Sequence, residues 1–272
     1  MLNELAAENF LRTLPLYEAA GHNFPLIHAV VEGQQRGQVF VDDAQEPRAA
    51  VVITNFGFTY VFGAEQTAAF DAGLTELLTR PERIRPTYLL WYDPPTLWQQ
   101  RLAARPPDVV RRRERIRLEW PATRKAAAAR CPPGFELRLL TEELLPRVER
   151  FGLQLESRFW SSAADLLTQG LGVLLLKGDE AVSLCYAACV AGGRAEVDVI
   201  TAPEYRGQGL GTLAAQEFIE ECLRRGLRPT WDCFVSNPAS LKLAERLGFE
   251  QVRAYTFYSF NVPLRLAEGA DE

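Results

Sequence analysis

The chain has 272 residues, 47% of them hydrophobic and 24% charged, with a formal net charge of -5. That length can bury one large core or two smaller ones, and the composition is that of an ordinary globular protein. The acidic balance argues against a general nucleic-acid binder, and no uninterrupted apolar stretch is long enough to cross a bilayer.

Leu2 to Ala20 alternates loosely and reads as one or two short helices stopped by Gly21. Ile27–Glu32, Gln38–Asp42, Ala49–Thr54 and Phe58–Phe62 read as strands separated by Gly33, Gly37 and the Asp43–Pro47 turn. Glu65 to Thr79 has helical period, with Phe70, Leu74, Leu77 and Leu78 on one face. Thr87–Tyr92 reads as a strand, followed by Pro94-Pro95 and a short helix over Trp98–Ala103. The segment from Met1 to Phe10 lacks the basic start and apolar run of a secretory leader, so a cytoplasmic protein is expected.

From Arg111 to Trp120, Ile116, Leu118 and Trp120 alternate with Arg115, Arg117 and Glu119, the period of a strand with one solvated face. We read it as an edge strand guarded by charge, in preference to a patch for phosphates or an acidic partner. Pro121 to Gly134 has linker character and sets expected domains at 1–125 and 134–262.

Beyond it come a strand at Phe135–Leu139, a helix at Thr141–Leu153 and a less regular stretch around Phe159-Trp160. Leu171–Lys177 and Ala181–Val190 read as a hairpin, and Ala195–Thr201 as the next strand. A short Ala202–Tyr205 turn leads into Arg206-Gly-Gln-Gly-Leu-Gly-Thr212 and a helix at Leu213–Arg225. Thr230–Val235 is a strand, Pro238–Leu247 a helix and Gln251–Phe260 a final strand.

The odd set of cysteines, Cys131, Cys185, Cys189, Cys222 and Cys233, has no Cys-x-x-Cys spacing and implies buried thiols, not disulfides. His22 and His28 lack neighbours at metal-ligand spacing, so no metal and no histidine-driven triad is expected.

The stretch from Arg206 to Thr212 can gather backbone N–H groups on one anion, helped by the positive end of the helix that follows. It has neither the lysine of a Walker loop nor the dinucleotide glycine spacing. Downstream, Asn237 suits an N-cap and Pro238 the first helical position. Leu241, Ala244 and Leu247 make one face, and Gly248 suits a left-handed cap with Phe249 packing back.

These two motifs, Arg206-x-x-Gly209-x-Gly211 and Asn237-x-x-Ser240-x-x-Leu243 running on to Gly248-Phe249, resemble the acyl-CoA loop and the second motif of the GNAT superfamily. The resemblance covers Phe135 to Phe260, about half the chain. It implies an α/β (α+β) GNAT acyl-CoA N-acyltransferase fold: a mixed, mostly antiparallel sheet flanked by helices, preceded by a smaller α/β domain. That first domain has a similar rhythm, with Gly63–Ala68 in place of the loop, as in a degenerate copy.

By the same likeness the cosubstrate is acetyl-CoA. Val199, Ile200 and Thr201 would offer backbone contacts to its pantetheine arm and acyl carbonyl. Arg206, Gly207, Gln208, Gly209, Leu210, Gly211 and Thr212 would hold the pyrophosphate, and Asn237 and Ser240 would face the arm. The implied activity is direct acetyl transfer to a primary amine of a small molecule or peptide. Asp232 is the expected base, five residues before Asn237, with Glu196 its rival and Asp198 next. The family's tyrosine position falls on Ala244, leaving Tyr255, Tyr258 or no protein acid for the leaving thiolate. Glu156, Phe159 and Trp160 are candidates to line the acceptor groove. A CoA-binding sensor without catalysis, and a structural protein that binds no CoA, are the competing readings. Homodimer formation is left open.

Overall fold

The computed structural model describes residues 2–63, 67–79, 87–90, 100, 102, 104, 110–153, 155 and 159–260. The chain divides into two compact units. The first comprises Met1–Arg115, Phe234–Asn237 and Ala254–Glu272; the second comprises Ile116–Cys233 and Pro238–Arg253. This differs from the expected division at the Pro121–Gly134 linker. The reason is that individual strands are shared out between the units: β6 (Val110–Glu119), β11 (Arg228–Phe234) and β12 (Glu250–Phe260) each begin in one and end in the other.

In the first unit, β1 (Asn3–Glu4), β2 (Gly37–Val41), β3 (Ala49–Thr54) and β4 (Phe58–Gly63) form an antiparallel meander. β5 (Thr87–Leu90) then adds parallel to β4, and β12 pairs antiparallel with β5. Two helices, α1 (Leu14–Ala19) and α2 (Pro25–Val31), pack one apolar cluster with Tyr60, Phe62, Tyr255 and Phe257. A third, α3 (Ala68–Thr79), presents Phe70, Leu74, Leu77 and Leu78 to a second cluster, the face its periodicity implies. The expected strand at Ile27–Glu32 is instead α2. Pro25 starts it, and Ile27, Ala29, Val30 and Val31 are all buried, so no polar face marks the helical period. Most of the expected 98–103 helix, and Pro94-Pro95, lie outside the described residues.

The second unit orders its strands β6-β11-β10-β9-β8-β7, with β7 at Phe135–Leu139, β8 at Gly172–Lys177, β9 at Glu180–Ala191 and β10 at Arg194–Thr201. β7 through β10 run antiparallel and β11 joins β10 in parallel. The expected helix at Thr141–Leu153 is broken into 3-10 turns around α4 (Leu145–Val148), whose first turn carries Pro146. A further short helix, α5 (Ala163–Gln169), is capped by the Ser162 side chain accepting from the Asp165 amide. Two longer helices, α6 (Leu210–Arg224) and α7 (Pro238–Leu247), complete the unit.

One face of this sheet is apolar. Leu118, Trp120, Trp231, Ala195, Val197, Cys185 and Val173 meet Ala214, Phe218, Cys222 and Ala244 in a single core. β6 is not an edge strand, since it has hydrogen-bonded neighbours on both sides, β12 and β11. Its alternation is as expected, but the charged side is not solvated: Arg117 is only 7% exposed.

Candidate functional site

The site begins where two strands part. β10 and β11 pair over three residues, Arg194 with Arg228, Ala195 with Pro229 and Glu196 with Thr230. β10 then continues through Val197 to Thr201 on its β9 side alone. A bulge falls at the same level, since Glu196 lies opposite Cys189 and Val197 opposite Ala187, leaving Ala188 as the extra residue of β9. Bulges bend a strand and increase its twist, which turns the end of β10 away from β11. The backbone groups of Val197–Thr201 that point away from β9 thereby face an opening.

The loop that follows is built from the end of that strand. After the 3-10 turn Pro203–Tyr205, Arg206 reaches back, its Nε donating to the Thr201 carbonyl at 3.2 Å. The Gln208 side chain donates to the Glu204 carbonyl. Gly207 and Gly209 take φ of 75° and 77°, left-handed values that only glycine adopts without strain, and both face open space. At Gly211 a Cβ would lie 2.9 Å from Thr201 Oγ1, so α6 starts as close to β10 as glycine permits. Among the described residues the amides of Gly207 through Gly211 have no backbone acceptor, as the first turn of a helix requires. Five donors at the positive end of a 15-residue helix form a cradle suited to a diphosphate.

The sheet face opposite the apolar core carries charge. Arg117 on β6 points Nη1 to within 3.7 Å of Glu196 on β10 and 3.9 Å of Asp232 on β11. Its Nε is 3.8 Å from Glu119, which also pairs with Arg228 at 2.9 Å and Arg194 at 4.0 Å. Glu196 further accepts from the Thr230 hydroxyl at 2.6 Å. Three guanidinium groups thus answer three carboxylates, with Arg117, Glu196 and Asp232 side chains each 8% exposed. Asp198 lies one pleat beyond Glu196 and is half-buried. Directly opposite it, Tyr186 on β9 donates its phenol to Asp198 Oδ2 at 2.7 Å.

The sequence-derived candidates therefore fall into three groups. Val199, Ile200, Thr201 and the Arg206–Thr212 loop come together at the mouth of the opening, where the Ser183 hydroxyl donates to the Ile200 carbonyl and sits 2.9 Å from Thr201 Oγ1. Asp232 and Glu196 meet on the polar face, joined through Arg117. Ser240 is turned toward the core, its hydroxyl accepting from Trp231 Nε1 at 3.0 Å. Asn237 belongs to the first compact unit, its amide donating to Phe234. Ala244 is fully buried in the core of the second unit, whereas Tyr255 and Tyr258 are buried in the two clusters of the first. Phe159 and Trp160 are buried, the indole donating to the Ala187 carbonyl, and Glu156 lies outside the described residues. Arg117 and Tyr186 escaped the sequence reading, though the Arg117–Glu119 alternation was the available signal for the first.

Burial drives the thiols of Cys185 and Cys222 well above the ordinary cysteine range, so neither is a nucleophile. Among the described residues no group of histidine, cysteine or acidic side chains could hold a metal ion, and no helix is long and apolar enough to cross a membrane.

The chain is similar to known proteins over most of its length. The chain is 26% identical over 232 residues to an uncharacterized N-acetyltransferase, YdfB, of Bacillus subtilis, covering 85% of this chain and 88% of that one. A GCN5-related N-acetyltransferase-like protein from Streptococcus suis superposes with a TM-score of 0.69 at 25% identity, over 93% of this chain and 99% of the other. A tandem GNAT protein from the clavulanic acid biosynthesis pathway superposes at 0.63 with 15% identity, over 97% and 99%, a likeness of fold. The family model for GNAT acetyltransferases matches residues 18–258, and the chain belongs to that family.

Proposed function

We propose that this GNAT protein transfers an acetyl group from acetyl-CoA to a primary amine of a small molecule or peptide by direct attack. The observation that carries the reading is the parting of β10 and β11 after Glu196 and Thr230, next to the amides of Gly207–Gly211. When bound, acetyl-CoA supplies an activated thioester carbonyl. The chain's own residues do the rest. The loop amides and α6 hold the diphosphate, and Arg206 fixes the loop to Thr201. The free edge of Val197–Thr201 receives the pantetheine amides as an added strand would, and a backbone N–H near Val199 steadies the carbonyl oxygen. A carboxylate on the polar face takes the proton from the amine.

Calorimetry with CoA and thiol release from acetyl-CoA across a panel of primary amines test this directly. Because Cys131 is exposed, the thiol assay is run in a Cys131→Ser background. Binding of CoA with turnover on an amine is the expected result; no CoA binding overturns the reading. The second reading, a CoA-binding module without catalysis, is favoured by Ala244, which leaves α7 without a phenol. It predicts CoA binding with no thiol release on any amine.

A further inference from the structure

We infer that Asp198 is the carboxylate that meets the acceptor, that it does so as an anion gripping a cationic amine, and that Tyr186 is its positioning residue. This rests on the acetyl-transfer reading and names its base and its substrate class. Four carboxylates share the polar face, and the structure separates them by what holds them. Glu196 and Asp232 are both committed to the buried Arg117, and Glu119 to Arg228, Arg194 and Arg117. Those three acids and the guanidinium groups they meet form one ion-pair network. Asp198 stands outside it, bonded to a neutral phenol. Among the described residues Asp198 meets no guanidinium, so its carboxylate is available to a cationic amine.

Position along the strand points the same way. Asp198 is the immediate neighbour of Val199, whereas Glu196 is three residues back, about 10 Å along an extended strand. Glu196 also lies where β10 and β11 are still paired, while Asp198 lies past the point where they separate. Asp232 is on the other strand, beyond its last paired residue, Thr230. Of the three, Asp198 alone is both next to the strand segment that would receive the thioester and free of a guanidinium among the described residues. The Tyr186 bond leaves Oδ1 for the amine and fixes the rotamer that presents it. The Phe159 ring, 6.2 Å from that of Tyr186, backs the pair with apolar surface.

The proton balance is simple. The ammonium gives one proton to Asp198, and the neutral amine attacks the thioester carbon. A C–N bond forms and the C–S bond breaks. The second nitrogen-bound proton leaves as the amide forms and ends on the sulfur, and Asp198 returns its proton to water. Nothing beyond amine and thioester is consumed.

The test uses the full chain, with spermidine, an aminoglycoside and a peptide α-amine as probes, and calorimetric CoA binding as the control for an intact cradle. Asp198→Asn is expected to bind CoA as the wild type does and to lose roughly 10²- to 10⁴-fold in kcat/KM for the amine, the range of a general base. Asp198→Glu restores part of that loss. Tyr186→Phe lowers kcat while leaving the KM for acetyl-CoA unchanged, a split that loss of structure would not give. Asp198→Asn that keeps wild-type turnover sinks this inference and leaves the acetyl-transfer reading standing. Turnover confined to uncharged amines, such as an aromatic amine added to the panel, sinks it as well. CoA binding without turnover on any probe overturns both.

Discussion

At Arg117, removing one side chain takes a guanidinium away from two buried carboxylates, Glu196 and Asp232. A buried pair that loses its cation typically costs about 3–5 kcal/mol, because the remaining charge stays uncompensated. Arg117→Met is therefore expected to lower the stability of the second unit by an amount in that range, read from the urea midpoint. The triple variant that also carries Glu196→Gln and Asp232→Asn should recover much of it. Gly209→Ala tests the loop instead: a left-handed φ imposes about 1–2 kcal/mol on a residue with a Cβ, while the space around it is open. Melting should fall modestly and CoA affinity with it. Arg117 shows how far the sequence could be read. Its strand and its face were legible from alternation with Ile116 and Leu118. Its burial was not, because the carboxylates that permit it, Glu196 and Asp232, come from strands 79 and 115 residues away in the chain.

Among the elements, α6 joins the cradle at its start to an ion-paired terminus. Glu221 accepts from Arg224 and Arg225, and Arg225 donates on to the Gly170 carbonyl ahead of β8. The Arg224 hydrogen bonds, followed by those of Arg225, hold the Glu221 carboxyl below its ordinary 4.5. A depressed carboxyl contributes stability that is full above the unfolded value and lost as pH falls through the folded one. Glu221→Gln should thus melt below the wild type at neutral pH, and the gap should close well below pH 4.5, as thermal unfolding at both pH values would show. Elements with a clear polar face or a glycine stop, such as α3, α6 and α7, were legible in sequence. α2 was not: with apolar residues buried all round, a run of Ile, Ala and Val has no phase to read. The two motifs gave the loop and α7, but the bulge at Ala188, which brings Tyr186 opposite Asp198, left no mark on composition or spacing.

For the molecule as a whole, the question is where it can be cut. A fragment covering 134–262 would contain both motifs and the whole of β7 through β11. It would lack β6 and the Trp120 that follows it, so the face shared by Glu196 and Asp232 would lose the Arg117 guanidinium and the core three buried members, Ile116, Leu118 and Trp120. That fragment is expected not to unfold cooperatively, whereas one beginning at Val110 retains the strand; circular dichroism on heating separates the two.

Ala244 has a consequence for how this protein could change. It is fully buried in the cluster that also holds Phe218, Trp231 and Phe249, so a tyrosine introduced there would meet side chains, not solvent. Recovering the family's phenol on α7 would demand several compensating replacements at once, each harmful by itself. Selection starting from this sequence would find a donor to sulfur more readily on a neighbouring strand than on that helix.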